Sequence, residues 1–93
     1  MATIIQPSGV CITLNPDPLT GELTLRQLQE AVGGFIESVP LADGNVMMVN
    51  ENGKLEGLPR NPIADELARI PGDTIVGTVV VGTVVEMGYD DGE

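Results

Sequence analysis

Residues 74–87 read Thr-Ile-Val-Gly-Thr-Val-Val-Val-Gly-Thr-Val-Val-Glu-Met, and this stretch decides the fold. Valine dominates it, and β-branched side chains favour the pleated, half-buried surface of a β-sheet. Because side chains alternate between the two faces of a strand, valine on both faces predicts burial on both sides. We therefore expect the last and longest strand here, either in the centre of a sheet or at a subunit interface.

Two short helices are predicted upstream from their capping residues. Thr24 followed three residues later by Gln27 forms a capping box, so the first helix should begin at Leu25 and end at Gly33-Gly34. Asn61-Pro62 combines an N-cap with a proline at the first helical position, which predicts a second helix from residue 62 to about residue 70. The predicted buried positions are Leu25, Leu28, Ala31 and Val32 in the first helix and Ile63, Leu67 and Ile70 in the second.

Short strands are predicted at residues 2–5, 10–14, 35–41 and 45–50 from runs of apolar and β-branched residues between turn formers. The first two are expected to pair as a hairpin. Asn52-Gly53 predicts a type I′ turn, with residues 54–56 returning antiparallel. Together these elements predict an α+β fold in which two short helices pack on one face of a small mixed or mostly antiparallel sheet.

The length of 93 residues leaves room for one domain, which we assign to residues 1–86, with an acidic tail at 87–93. Glu86, Asp90, Asp91 and Glu93 are expected to be solvated in or beside this tail. The formal charge of −10 repels nucleic acid and anionic membranes and favours basic partners.

The single cysteine, Cys11, lies in an apolar strand pattern and is expected in the core. The N-terminus lacks the basic and apolar regions of a signal peptide, and the longest apolar run falls short of the ~20 residues of a membrane helix. We therefore expect a cytoplasmic protein without membrane partners.

Catalysis finds little support among these residue types. The chain has no histidine, so the commonest general base and metal ligand are missing. Acidic residues that are neighbours in sequence, such as Asp65-Glu66, do not have the spacing of a calcium-binding loop. No glycine-rich phosphate-binding motif precedes a predicted helix. We expect a non-enzymatic protein without cofactor, metal or catalytic residues.

Residues 50–61, Asn-Glu-Asn-Gly-Lys-Leu-Glu-Gly-Leu-Pro-Arg-Asn, admit two interpretations. Turn and cap chemistry accounts for most of them. Alternatively, two basic residues flank the start of the second helix, where free N–H groups favour an anion such as a nucleotide. The candidate residues for binding a ligand or a partner are Asn50, Glu51, Lys54, Arg60 and Asn61.

The same segment carries a family resemblance. The pattern Asn50-Glu51-x-Gly53-Lys54-Leu55-x-Gly57-Leu58-Pro59-x-Asn61, with Asp73-x-Ile75-Val76-Gly77-Thr78 further on, resembles small phage and plasmid proteins catalogued as domain of unknown function 3846. The stretch from Leu23 to Leu41 is similar to them as well. The resemblance implies an origin in a phage or mobile element and an accessory role in the bacterial cytoplasm, without implying a reaction.

These observations lead to one preferred function and two alternatives. We expect an accessory protein of a phage or mobile element that binds a host regulatory protein, in host takeover or anti-defence. The alternatives are an oligomeric binding protein that sequesters a nucleotide-like signalling molecule, and a structural or virion component. A homo-oligomer is expected, with the valine-rich strand as its interface.

Overall fold

The computed structural model describes residues 1–88, which form five strands and two helices. The elements are β1 (Ala2–Ile5), β2 (Cys11–Leu14), α1 (Leu25–Val32), β3 (Ile36–Pro40), β4 (Val46–Asn50), α2 (Pro62–Ala68) and β5 (Val79–Gly82). The α+β class predicted from the sequence is confirmed. Within the described residues, no helix is both long enough and apolar enough to cross a membrane.

The sheet is antiparallel throughout, in the order β2-β1-β5-β4-β3. The valine-rich strand β5 lies in its centre, because β1 pairs with one edge of β5 and β4 with the other. Val79 and Val80 are fully buried. The prediction of a central strand is confirmed, whereas the prediction of assembly through this strand is wrong, because both of its edges are already paired.

β5 is much shorter than the predicted strand over residues 74–87. Gly77 has a φ of +79°, which breaks the extended backbone before β5 begins, and a Cβ there would lie 2.8 Å from Leu58 Cδ1. After Gly82 the chain turns, and the Met87 N–H donates to the Thr83 carbonyl at 3.1 Å. Valine content therefore predicts burial correctly but overestimates how far the strand extends.

The two helices cover opposite faces of the sheet, so their predicted placement on one face is wrong. Leu28 and Val32 of α1 pack in one cluster with Met48 of β4 and Val80 of β5. Ala64 of α2 packs in a second cluster, which lies on the other side of the same strands because their side chains alternate. The second cluster contains Ile5, Met47, Val49, Ile75 and Val79.

Three of the four helix ends follow the predicted capping. The exception is the end of α2, which stops at Ala68 with Arg69 in the left-handed conformation instead of continuing to about residue 70. The buried stripes differ as well. Thr24 and Gln27 form the capping box, and Gly33 ends α1 in the left-handed conformation. Leu25, in the first turn of α1, is 58% exposed instead of buried. In α2 the buried residue is Ala64, while Ile63 and Leu67 are 39% and 45% exposed. The small side chain of Ala64 lets α2 approach the sheet closely and turns the larger residues outward.

Cys11 is exposed, which corrects its predicted place in the core. It lies in β2, at the edge of the sheet, where the first three residues of the strand are exposed. The apolar pattern around Cys11 is therefore an uncovered edge rather than a core strand.

The end of the described chain belongs to the packed domain, which corrects the predicted boundary at residue 86. Met87 is 5% exposed and joins the cluster beneath α1. The Glu86 carboxylate is also buried, where it accepts hydrogen bonds from the Met1 ammonium at 2.8 Å and the Thr83 N–H at 2.8 Å. The rest of the predicted acidic tail, residues 89–93, lies outside the described residues.

Two leucines of α1 offer a matched test of which face is buried. Leu28→Ala should lower the free energy of unfolding by about 2–5 kcal/mol, because it opens a cavity beneath a side chain that is 1% exposed. Leu25→Ala makes the same change on the solvent side and should alter stability by only about 0.5 kcal/mol. Urea denaturation followed by circular dichroism measures both, and equal effects would contradict the packing of α1.

Glu86 should make stability depend on acid pH. Hydrogen bonds from the Met1 ammonium, and then from the Thr83 N–H, hold the pKa of Glu86 below its ordinary value of 4.5. Since the folded state binds this proton more weakly than the unfolded state, the ionised carboxylate stabilises the fold above pH 4.5. That contribution is lost as the pH falls through the lowered pKa.

The measurement is urea denaturation of the wild type and of Glu86→Gln from neutral pH downwards. The stability difference between them should be largest near neutrality and shrink below pH 4.5. A difference that does not change with pH would show that the ionisation of Glu86 has no part in the fold.

Candidate functional site

Asn50, the last residue of β4, has a structural role. Its side chain is buried, its Nδ2 donates to the Val32 carbonyl at 3.1 Å, and its Oδ1 accepts from the Asn52 N–H at 2.8 Å. These bonds connect the end of α1 to the start of the following loop. Both polar atoms of the amide thus have a partner inside the protein, although the residue borders the cleft described below.

Residues 51–57 form consecutive turns instead of the predicted type I′ hairpin with its returning strand. The Glu56 N–H donates to the Asn52 carbonyl at 2.9 Å, which is the spacing of an α-helical turn, and the Leu58 N–H donates to the Gly53 carbonyl at 3.0 Å, one residue further apart. Gly53 is needed here for space, because a Cβ would lie 3.0 Å from Val76 Cγ2 and 3.3 Å from the Asn50 carbonyl. Packing against residue 76, which no local turn rule contains, therefore favours glycine at this position of the loop.

Asn61 is completely buried and joins three parts of the chain. Its Oδ1 caps α2 by accepting from the Ala64 N–H, as predicted, while its Nδ2 donates to the carbonyls of Ile5 at 2.9 Å and Gly77 at 2.8 Å. Every polar atom of this side chain has a partner inside the protein. Asn61 therefore holds α2 against the sheet and is not available to a ligand.

Arg60 does not line the cleft described below. Its backbone bridges Val76, and its guanidinium, which is largely exposed, pairs with Asp65 at 3.4 Å. Asp65 also places a carboxylate in the first turn of α2. The predicted anion site at the start of this helix is thus occupied by the protein's own charges.

A cleft of about 210 Å³ opens on the α2 face of the sheet and gathers the remaining candidates. It lies between the β3–β4 pair, the turns of residues 51–57 and the segment of residues 70–76. Its apolar wall is formed by Val39, Val49, Leu55, Ile70, Ile75 and Val76, and its polar groups come from Glu37, Asn50, Glu51, Lys54, Asp73 and Thr74. Three predicted site residues therefore meet here, namely Asn50, Glu51 and Lys54.

The rim of this cleft is negative. Lys54 forms an ion pair with Asp73 across the mouth, which links the turns of residues 51–57 to the loop after α2. The hydrogen bond from Lys54, together with the Thr74 N–H, lowers the pKa of Asp73. Three carboxylates, of Glu37, Glu51 and Asp73, against the one ammonium of Lys54 give the lining a formal charge of −2 within the described residues.

Comparison with known protein families identifies the family of this chain. A family model described as Domain of unknown function (DUF3846) matches residues 2–93. The chain belongs to this family. The resemblance predicted from residues 50–61 and 73–78 is thereby confirmed. Searches of curated proteins and of solved structures returned no match.

Two residues that shape the cleft of this DUF3846 chain were not among the sequence candidates. Glu37 faces it because Glu37 and Val39 alternate onto the same side of β3, opposite Val49 and Met47 of β4. The sequence shows that Glu37 and Val39 lie on the same side of a strand. It does not show which face of the sheet that side belongs to. Asp73 appeared only within the family pattern, and its pairing with Lys54 depends on two loops meeting.

The DUF3846 cleft combines carboxylates at its rim with an apolar wall. Carboxylates at the rim can accept hydrogen bonds from a cation, while the apolar wall can take up a hydrocarbon chain. Within residues 1–88, no group of three or more His, Cys, Asp or Glu side chains is placed to hold a metal ion.

Asn61 provides a test of the scaffold beneath the cleft. Asn61→Ala should lower the free energy of unfolding by about 2–4 kcal/mol, because it removes the cap of α2 and leaves two buried carbonyls without donors. Asn61→Asp retains the acceptor for Ala64 but presents oxygen to both carbonyls, so it should remain strongly destabilised. Asn45→Ala, whose side chain bonds only at an exposed turn, is the control. Urea denaturation distinguishes them, and rescue by Asn61→Asp would show that capping alone matters.

Proposed function

We propose that this chain is a non-enzymatic binding protein, an accessory protein of a phage or mobile element, that holds a basic side chain of a host regulatory protein in its acidic cleft. The observation that carries the proposal is the combination of an apolar wall with a rim of formal charge −2. Its setting is the cytoplasm of the bacterial host.

The size of the cleft supports a side chain rather than a whole ligand molecule. Its volume of about 210 Å³ is below the range of roughly 300–1,000 Å³ that is usual for small-molecule pockets. The methylene groups of an arginine or lysine can lie against Val49 and Ile75, which are themselves mostly buried. Its charged end then reaches the rim.

The charge distribution supports a cation as the occupant. Glu37 and Glu51 are exposed, so each can turn towards an arriving guanidinium or ammonium group. Lys54 is already balanced by Asp73, which limits its repulsion of that group. The formal charge of −10 on the whole chain adds a long-range attraction for basic surfaces.

The nucleotide-binding alternative loses its main support for the same reasons. Its two proposed cations, Lys54 and Arg60, each face a carboxylate, and Arg60 does not line the cleft. A phosphate placed at the rim would also approach Glu37 and Glu51. The geometry therefore favours a basic partner over an anionic ligand.

The first test uses small probes on isotope-labelled protein. Titration with n-butylguanidinium chloride should shift the backbone amide signals of Val49, Glu51 and Ile75 in ¹⁵N–¹H spectra, whereas adenosine monophosphate should leave them unchanged. Glu37→Gln combined with Glu51→Gln should abolish the response by removing the rim charge. Glu22→Gln combined with Glu30→Gln changes the total charge equally, away from the cleft lining, and should preserve the response. Shifts caused by the nucleotide alone would contradict the proposal.

The second test examines the partner. Wild-type protein immobilised and exposed to host lysate should retain one stoichiometric protein that raised salt releases, because exposed charge pairs are screened. The Glu22 and Glu30 control should retain the same protein, while the Glu37 and Glu51 variant should lose it. Retention unaffected by the cleft variant would show that the partner binds elsewhere.

A further inference from the structure

β2 is an edge strand with uncovered backbone and apolar side chains. Val10, just before it, is 50% exposed, and Ile12 in its middle is 44% exposed. In proteins that remain monomeric, edge strands commonly carry a charge, a proline or a bulge that prevents further pairing. Residues 10–15, Val-Cys-Ile-Thr-Leu-Asn, contain no charge and no proline.

The free hydrogen-bonding groups of β2 can be assigned from its register. The Gln6 N–H donates to the Val10 carbonyl at 2.9 Å, and Ile4 stands opposite Ile12. Because bonded and non-bonded pairs alternate in an antiparallel ladder, residues 10, 12 and 14 direct their backbone groups towards β1. Cys11 and Thr13 therefore direct their N–H and C=O groups outward, away from the sheet.

Charge singles out this edge as the place where two copies can approach each other. The chain carries a formal charge of −10, yet residues 1–16 contain no charged side chain. Two acidic copies repel each other across most surfaces, and the repulsion is smallest where no carboxylate lies on the contacting strand. A basic partner, by contrast, is drawn to the acidic surfaces instead of this neutral strand.

The opposite edge of the sheet is protected. β3 carries the exposed carboxylate of Glu37, and it ends at Pro40, which has no N–H to donate. The two edges of the described sheet thus differ in the features that permit or prevent strand addition.

We infer that a second copy of this chain pairs with β2, strand against strand and antiparallel, to form a symmetric dimer with a continuous ten-stranded sheet. In the register that uses all the outward groups, Cys11 of one copy bonds with Thr13 of the other, and Ile12 faces Ile12 across the axis. This surface is separate from the α2-face cleft, so the dimer would present two clefts.

The mass of the protein in solution tests the dimer. Native mass spectrometry and analytical ultracentrifugation should give twice the 9.7 kDa of one chain. Ile12→Lys places two ammonium groups opposite each other and should yield monomers. Leu25→Lys adds the same charge at an exposed leucine of α1 and should remain dimeric. Circular dichroism should show both variants folded.

Cross-linking tests the register independently of the lysine variants. Cys11→Ser with Ile12→Cys places two thiols opposite each other in a non-bonded pair, roughly 4.5 Å apart at Cα, so mild oxidation should yield a disulfide-linked dimer. Cys11→Ser with Thr13→Cys places them diagonally at roughly 7–8 Å and should cross-link far less.

A monomeric wild type would overturn the inference and would leave β2 to a strand of another protein. A dimer that survives Ile12→Lys, or that cross-links better through residue 13 than through residue 12, would overturn the assigned pairing. None of these results depends on occupation of the cleft. Failure of the dimer proposal is therefore distinguishable from failure of the proposed function.

Discussion

Burial of β5 on both faces and both edges is the constraint on which the rest of the fold depends. Its neighbours are β1, from the start of the chain, and β4, from the middle. The β1–β2 hairpin and the β3–β4 hairpin do not pair with each other directly. β5 lies between them and pairs with both. Because Val79 and Val80 point to opposite faces, each face needs its own cover, and α1 and α2 supply one each. A sheet with valine on only one face would allow both helices to share a side.

The local chemistry of the chain predicted its elements well. Thr24 with Gln27, Gly33, and Asn61 before Pro62 all act as capping residues at the expected helix ends. These signals depend on neighbours within a few residues, which a sequence displays directly. The central position of β5 was also predictable, since valine at successive positions is rarely tolerated at an exposed edge.

Features that depend on distant contacts could not be predicted in this way. Asn52-Gly53 favours a hairpin locally, but residues 51–57 form consecutive turns in which Gly53 packs against the side chain of Val76. The face chosen by α2 depends on Asn61 reaching the carbonyls of Ile5 and Gly77. The candidate site residues have different roles for the same reason. The side chains of Asn50 and Asn61 form hydrogen bonds within the fold. Glu51 and Lys54 line a cleft whose other wall comes from residues 70–76.

The place of β5 in the chain order has a consequence for how the protein folds. The β1–β2 and β3–β4 hairpins can each form from local contacts, but they remain separate until residues 79–82 enter between them. Contacts between segments far apart in sequence are slow to form, because a long loop must close before they contribute. β5 is the last of the described strands to be synthesised, and until it is made the inner strands β1 and β4 each have an unpaired edge. The sheet can be completed only after β5 has been made, and before then the unpaired edges of β1 and β4 are open to mispairing.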